Sequence, residues 1–170
     1  MVFALGNMSI IETSGDGYDS NLCEDVASWF MNQFLQKYDD ILVEIEHVRL
    51  DNYWTYGYCA VVGSCIRPRH FMIELQPFMS REKYIKTLFH ELTHMKQWIE
   101  YRLTWDGQKS YFCQESVEDY DYWDQPHEVE ARNEEQRLYD LYLSDKEGVP
   151  VGKPSYDWSN RLTRCPIITR

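Results

Sequence analysis

The chain has 170 residues, the size of one domain, with 44% hydrophobic and 15% aromatic residues. That is enough apolar material for a packed core, and it excludes an intrinsically disordered chain. A formal net charge of −11 sets the surface against nucleic acid and anionic lipid, and no run approaches the roughly 18 apolar residues of a membrane span.

The first seventeen residues lack the charged start and apolar run of a secretory signal, and they end in the polar stretch Ser14-Gly15-Asp16-Gly17, which reads as flexible. Asp19 or Ser20 is then expected to cap a helix to about Tyr38, with Leu22, Val26, Trp29, Phe30 and Leu35 on its buried face. Residues 41–50, 53–62 and 69–76 are strand candidates: the first and third alternate apolar and polar positions, and the second is rich in aromatic and β-branched residues. Their short connections predict antiparallel pairing.

A second helix is predicted over residues 80–101 with Ser80 as its cap, and a third from Pro126 to about Leu143. Between them, residues 102–125 read as a long loop, of which 115–124 form an acidic-aromatic run expected to be solvated. From about residue 145 the chain holds Gly148, Pro150, Gly152, Pro154 and Pro166, so an irregular tail is expected. Lys153, Arg161, Arg164 and Arg170 make that tail basic. The five cysteines, Cys23, Cys59, Cys65, Cys113 and Cys165, are odd in number and contain no C-x-x-C. They read as free thiols in a reducing compartment, so the expected location is the cytoplasm, or the host cytoplasm or virion for a viral chain.

The second helix carries His90-Glu91-Leu92-Thr93-His94. Histidines four apart on a helix lie about 40° from each other, so both imidazoles can reach one metal ion, with zinc the expected one. Glu91 stands where it can take a proton from an attacking water, whose pKa a bound metal lowers. Ile85, Leu88, Phe89, Leu92, Met95 and Ile99 form the apolar stripe, and His90 and His94 project nearly opposite to it. Histidines satisfied inside a core stripe therefore fit the pattern poorly. A third ligand is expected from Pro126-His127-Glu128-Val129-Glu130-Ala131. The two glutamates are about 200° apart, so one can face the metal. Taking Ala131, Leu138 and Tyr142 as the buried face puts Glu128 about 60° from its centre and Glu130 about 100°, which favours Glu128 and leaves Glu130 as the alternative. Cys59, Cys65 and His70 match no zinc-knuckle spacing. Tyr120 and Tyr122 are weaker candidates for oxyanion donors.

These blocks resemble the zincin metallopeptidases, and most of all small SprT-like and phage-encoded metallopeptidases. Their metal helix reads like His90-Glu91-Leu92-Thr93-His94-Met95-Lys96-Gln97, and their ligand helix commonly opens Pro-Trp-Glu-x-Glu-Ala. The resemblance covers about residues 69–143 and is specific at the two blocks. It implies that His90, His94 and Glu128 hold zinc, that Glu91 is the general base, and that residues 71–76 form the strand beside the cleft, where a peptide substrate adds. His127 departs from the usual aromatic, leaving open a fourth metal contact or a transition-state donor. Arg132 stands where relatives often have an acid that orients a ligand histidine.

The expectation is therefore a single α+β, zincin-like domain over residues 1–170. It has a small, mostly antiparallel three-stranded sheet, an N-terminal helix and two helices that clamp Zn2+. The expected activity is hydrolysis of a protein or peptide substrate. The alternative is a catalytically silent, zinc-stabilised structural or binding protein on the same fold.

Overall fold

The computed structural model describes residues 9–51 and 55–148. It is an α+β fold of three helices, a four-stranded sheet and a smaller three-stranded sheet. The first strand, β1 (Ile10–Gly15), leads into α1 (Ser20–Phe34), which returns the chain to β2 (Leu42–His47). Asp19 caps α1, its carboxylate accepting from the Leu22 amide at 3.2 Å. The helix stops at Phe34, with Leu35 as its C-cap, a turn before the expected end. Strand β3 (Gly57–Val61) and strand β4 (His70–Leu75) follow, and the sheet order is β1-β2-β4-β3.

Two expectations fail here. Residues 10–15 are an edge strand, where the sequence suggested a flexible stretch, and the sheet is mixed. Strands β1 and β2 pair in parallel, as do β2 and β4, and only β3 runs antiparallel, against β4. The cause is connectivity. A helical crossover such as α1 joins parallel neighbours, and β4 inserts between β2 and β3, so strands consecutive in sequence are not all neighbours. The resemblance also put the cleft beside residues 71–76. Strand β4 is bonded on one side to β2 and on the other to β3, so it has no open edge for another strand. Among the described residues the free edges belong to β1 and β3.

Alternation decides which sheet face is buried. Val43 and Ile45 from β2 and Phe71, Ile73 and Leu75 from β4 are at most 1% exposed and face the helices. Helix α2 (Arg81–Ile99) lays its predicted stripe, Ile85, Leu88, Phe89, Leu92, Met95 and Ile99, into that core, each residue fully buried. Ser80 caps it. Helix α3 (Pro126–Glu147) packs along α2 and closes on Gly148, whose φ of +66° is the left-handed conformation that suits glycine at a helix end. The helix thus overruns its predicted end and takes in residues 145–147, while the basic residues of the tail lie outside the described residues. Helices α1 and α3 are tied by Trp29 Nε1 donating to Asp145 at 2.9 Å and the Tyr142 hydroxyl donating to Asp25 at 2.7 Å.

The stretch read as a loop, 102–125, is a small antiparallel sheet of β5 (Leu103–Trp105), β6 (Ser110–Phe112) and β7 (Glu115–Ser116), followed by two 3-10 turns, Val117–Asp119 and Tyr122–Asp124. Leu103, Phe112 and Val117 give it a core of its own against Trp98. Cys23, Cys59 and Cys65 are free thiols, but Cys113 is disulfide-bonded, which corrects the reading of every cysteine as free.

Candidate metal centre

Helix α2 presents His90 and His94 one turn apart towards the first turn of α3, which presents Glu128. Their donor atoms converge. His90 Nε2 lies 3.0 Å from His94 Nε2, 3.3 Å from Glu128 Oε2, and His94 Nε2 lies 3.5 Å from Glu128 Oε1. One ligand atom from each residue falls within 4.8 Å of the others, and among the described residues this is the one group with that property.

The far side of each ring fixes its tautomer. His90 Nδ1 lies 2.7 Å from Glu135 Oε1 and His94 Nδ1 lies 2.9 Å from Gln97 Oε1. Each Nδ1–H therefore donates to an oxygen, and each Nε2 turns its lone pair into the shared space. The Gln97 amide is oriented by its other end, where Nε2 donates to the His127 carbonyl at 3.0 Å. Gln97 is fully buried, so one side chain sets the His94 ring and pins the start of the helix that carries Glu128.

The donor set fits a metal ion. Two nitrogen lone pairs and a carboxylate face each other 3.0–3.5 Å apart, and the buried Glu128 Oε2 has no hydrogen-bond partner. Neutral imidazoles and a carboxylate so arranged have acceptors and no donor between them, a defect that a cation removes. Without the ion a proton takes its place. Burial opposes charge on His90, but hydrogen bonds from its ring to Glu128 and Glu135 outweigh it and raise its pKa to about 10. Burial would raise the Glu128 pKa, yet the His90 and His94 hydrogen bonds carry it far below the usual carboxylate range.

Glu91, 5% exposed, sits on the same helix beside this cluster. Burial raises its pKa to about 7, against the pull of His90 and His94. Strand β3 runs past it: Gly57 approaches so closely that a Cβ there would stand 2.6 Å from Glu91 Oε1.

Glu130, the alternative ligand, is committed elsewhere. Its carboxylate takes both ends of the Arg102 guanidinium, at 2.6 and 2.8 Å, a paired geometry that clamps the end of α2 to α3. His127 stays outside the donor cluster. Its Nε2 is 3.9 Å from Glu128 Oε1, its Nδ1 has no partner among the described residues, and burial lowers its pKa to about 4. Arg132 donates to the Trp123 carbonyl and lies 3.7 Å from Glu128, so the acid that orients His90 is Glu135. Of the two tyrosines, Tyr122 lies near the site: burial and the charge of the Glu128 carboxylate raise its pKa to about 12. Tyr120 instead bonds Glu115 at 3.3 Å. His70 pairs with Glu44 and joins no cysteine cluster.

Sequence reasoning missed Glu135, Gln97 and Gly57. Periodicity alone held a signal for the first, since Glu135 stands two turns beyond Glu128 and so shares its face. No helix of the described residues is long and apolar enough to cross a membrane. No family model matches the chain, and no curated protein and no solved structure is similar to it.

Proposed function

We propose that this chain is a zinc-dependent peptidase of the zincin type. The observation that carries the reading is the convergence of His90, His94 and Glu128 with Glu91 buried beside them. Three protein ligands of this kind leave zinc a coordination position open, as catalytic sites require. Zinc bound there supplies a Lewis acid for the scissile carbonyl and lowers the pKa of water.

The chain's own residues do the rest. The outer edge of β3 accepts a peptide as an added strand, because its outward amide and carbonyl groups have no strand partner among the described residues. That edge passes Gly57, so an added strand lies one strand spacing, about 4.8 Å, from the backbone against which Glu91 packs. Glu91 accepts a proton from the attacking water and returns it to the departing amine nitrogen. A carboxyl whose pKa burial holds near 7 is matched to that exchange at neutral pH, and a nearby cation draws it lower. Tyr122, whose hydroxyl feels the charge of Glu128, is the side chain we assign to a developing oxyanion.

A second reading, a silent protein with a zinc-stabilised fold, draws on His127, whose ring lies 5.6 Å from that of His94 and can close the open position. Cleavage separates the two. Zinc-reconstituted protein is incubated with a mixed peptide library and the products are read by mass spectrometry. Wild type cleaves, and Glu91→Gln binds equal zinc without cleaving. Equal cleavage by Glu91→Gln removes Glu91 as the base. Full zinc with no cleavage by wild type favours the silent protein.

A further inference from the structure

Gly57 is the residue of β3 in register with Leu75 of β4, and on its other side no strand of the described residues pairs with it. Its φ lies outside the left-handed region, so the backbone there accepts any residue. What excludes a side chain is space. A Cβ would stand 2.6 Å from Glu91 Oε1, 2.8 Å from Cγ and 3.0 Å from Cδ, closer than carbon atoms pack. All three atoms belong to the carboxyl end of one side chain. Among the described residues no hydrogen-bond donor is aimed at that carboxyl group, so its place is set by contact and by the charges of its neighbours.

We propose that Gly57 is a positioning residue for Glu91: the bare backbone of the edge strand fixes where the Glu91 carboxylate stands. The steric part stands on geometry alone, and the catalytic consequence rests on the peptidase reading. The strand closes the space above Glu91 and holds its carboxyl group back against the metal cluster. Any side chain at 57 pushes that group out of place. An error of about 1 Å in the position of a reacting group can cost about a hundredfold in rate.

The sign of a stability change tests the steric part without any substrate. At an extended position, glycine to alanine ordinarily stabilises, because the unfolded chain loses freedom and strands favour a side chain. Here Gly57→Ala lowers the Tm of the metal-free protein. Glu91→Asp withdraws the carboxylate by one methylene, so in that background the same substitution is neutral or raises Tm. If Gly57→Ala raises Tm beside the native Glu91, or lowers it equally in both backgrounds, the proposal is overturned.

Zinc content is expected to be unchanged by Gly57→Ala, since none of the three ligands is touched. In an enzyme that cleaves the peptide library, kcat falls about a hundredfold and KM stays near wild type. An unchanged kcat in Gly57→Ala overturns the positioning role. A wild type that cleaves nothing defeats the peptidase reading but leaves the Tm comparison decisive for the contact.

Discussion

Replacing Gln97 by leucine removes one side chain that serves two helices. The His94 Nδ1–H loses its acceptor at 2.9 Å and the His127 carbonyl loses its donor at 3.0 Å. Each unsatisfied buried group costs about 1–3 kcal/mol, and the apolar replacement returns about 1–2 kcal/mol at a fully buried position. A net loss of about 3 kcal/mol corresponds to a fall of about 6–12 °C in Tm for a domain of this size. With the ring of His94 released, zinc affinity is expected to fall about 10–100-fold.

Gln97→Glu separates the two roles. A carboxylate still accepts from His94 Nδ1, and more strongly, but it repels the His127 carbonyl. This variant is expected to melt lower than wild type when metal-free, with zinc affinity retained. Thermal melts of chelator-treated protein and competition titrations of zinc provide both numbers. Wild-type zinc affinity in Gln97→Leu would refute the claim that Gln97 sets the His94 ring.

Glu130→Ala and Glu128→Ala are expected to fail differently. The first removes the two-pronged partner of Arg102, leaves it Glu100 at 3.1 Å and costs about 1.5–3 kcal/mol, yet keeps the metal; the second keeps the clamp and loses the metal. Tm and metal analysis on both variants check this. Metal loss in Glu130→Ala while Glu128→Ala retains it would reverse the assignment.

A pH series follows from the metal-free site. His90, raised from 6.5 to about 10, contributes stability that is full below 6.5 and lost as pH rises through 10. Glu91, raised from 4.5 to about 7, likewise favours folding only while protonated, so its contribution is lost between 4.5 and 7. Glu128, depressed, acts oppositely, and its contribution is lost only as pH falls below 4.5. His127, depressed from 6.5 to about 4, favours folding as pH rises between those values and so offsets the Glu91 loss. Chelator-treated protein is therefore expected to lose Tm mainly from about pH 7 to 10, as His90 deprotonates. Zinc, by displacing the His90 proton, is expected to flatten the alkaline half. A flat metal-free profile would show that these groups are not in the environments described.

The convergence of His90, His94 and Glu128 was legible in the sequence because it depends on local helical geometry. His90 and His94 sit on one turn, and the angle of Glu128 to Ala131, Leu138 and Tyr142 separates it from Glu130, which the Arg102 clamp occupies. What escaped depends on contacts between distant segments. Strand β1 has its only two isoleucines side by side at its start and then runs Glu-Thr-Ser-Gly, so no alternation sets it apart from a polar terminus. Parallel pairing of β2 with β4 depends on β4 entering between two strands already formed in sequence order, which no hydrophobic pattern records. The small sheet of β5, β6 and β7 has strands of three, three and two residues, below the length at which alternation signals a strand. Gly57 carries no signal at all, because its reason is a carboxyl group 34 positions away in sequence.

The most direct test of the account is the metal content of protein purified without chelator, for wild type, His94→Ala and Glu128→Ala. The account predicts about one zinc per chain in wild type and loss or weakening in both variants, as three converging ligands require. Wild-type protein that holds no stoichiometric metal even after zinc is supplied would contradict it.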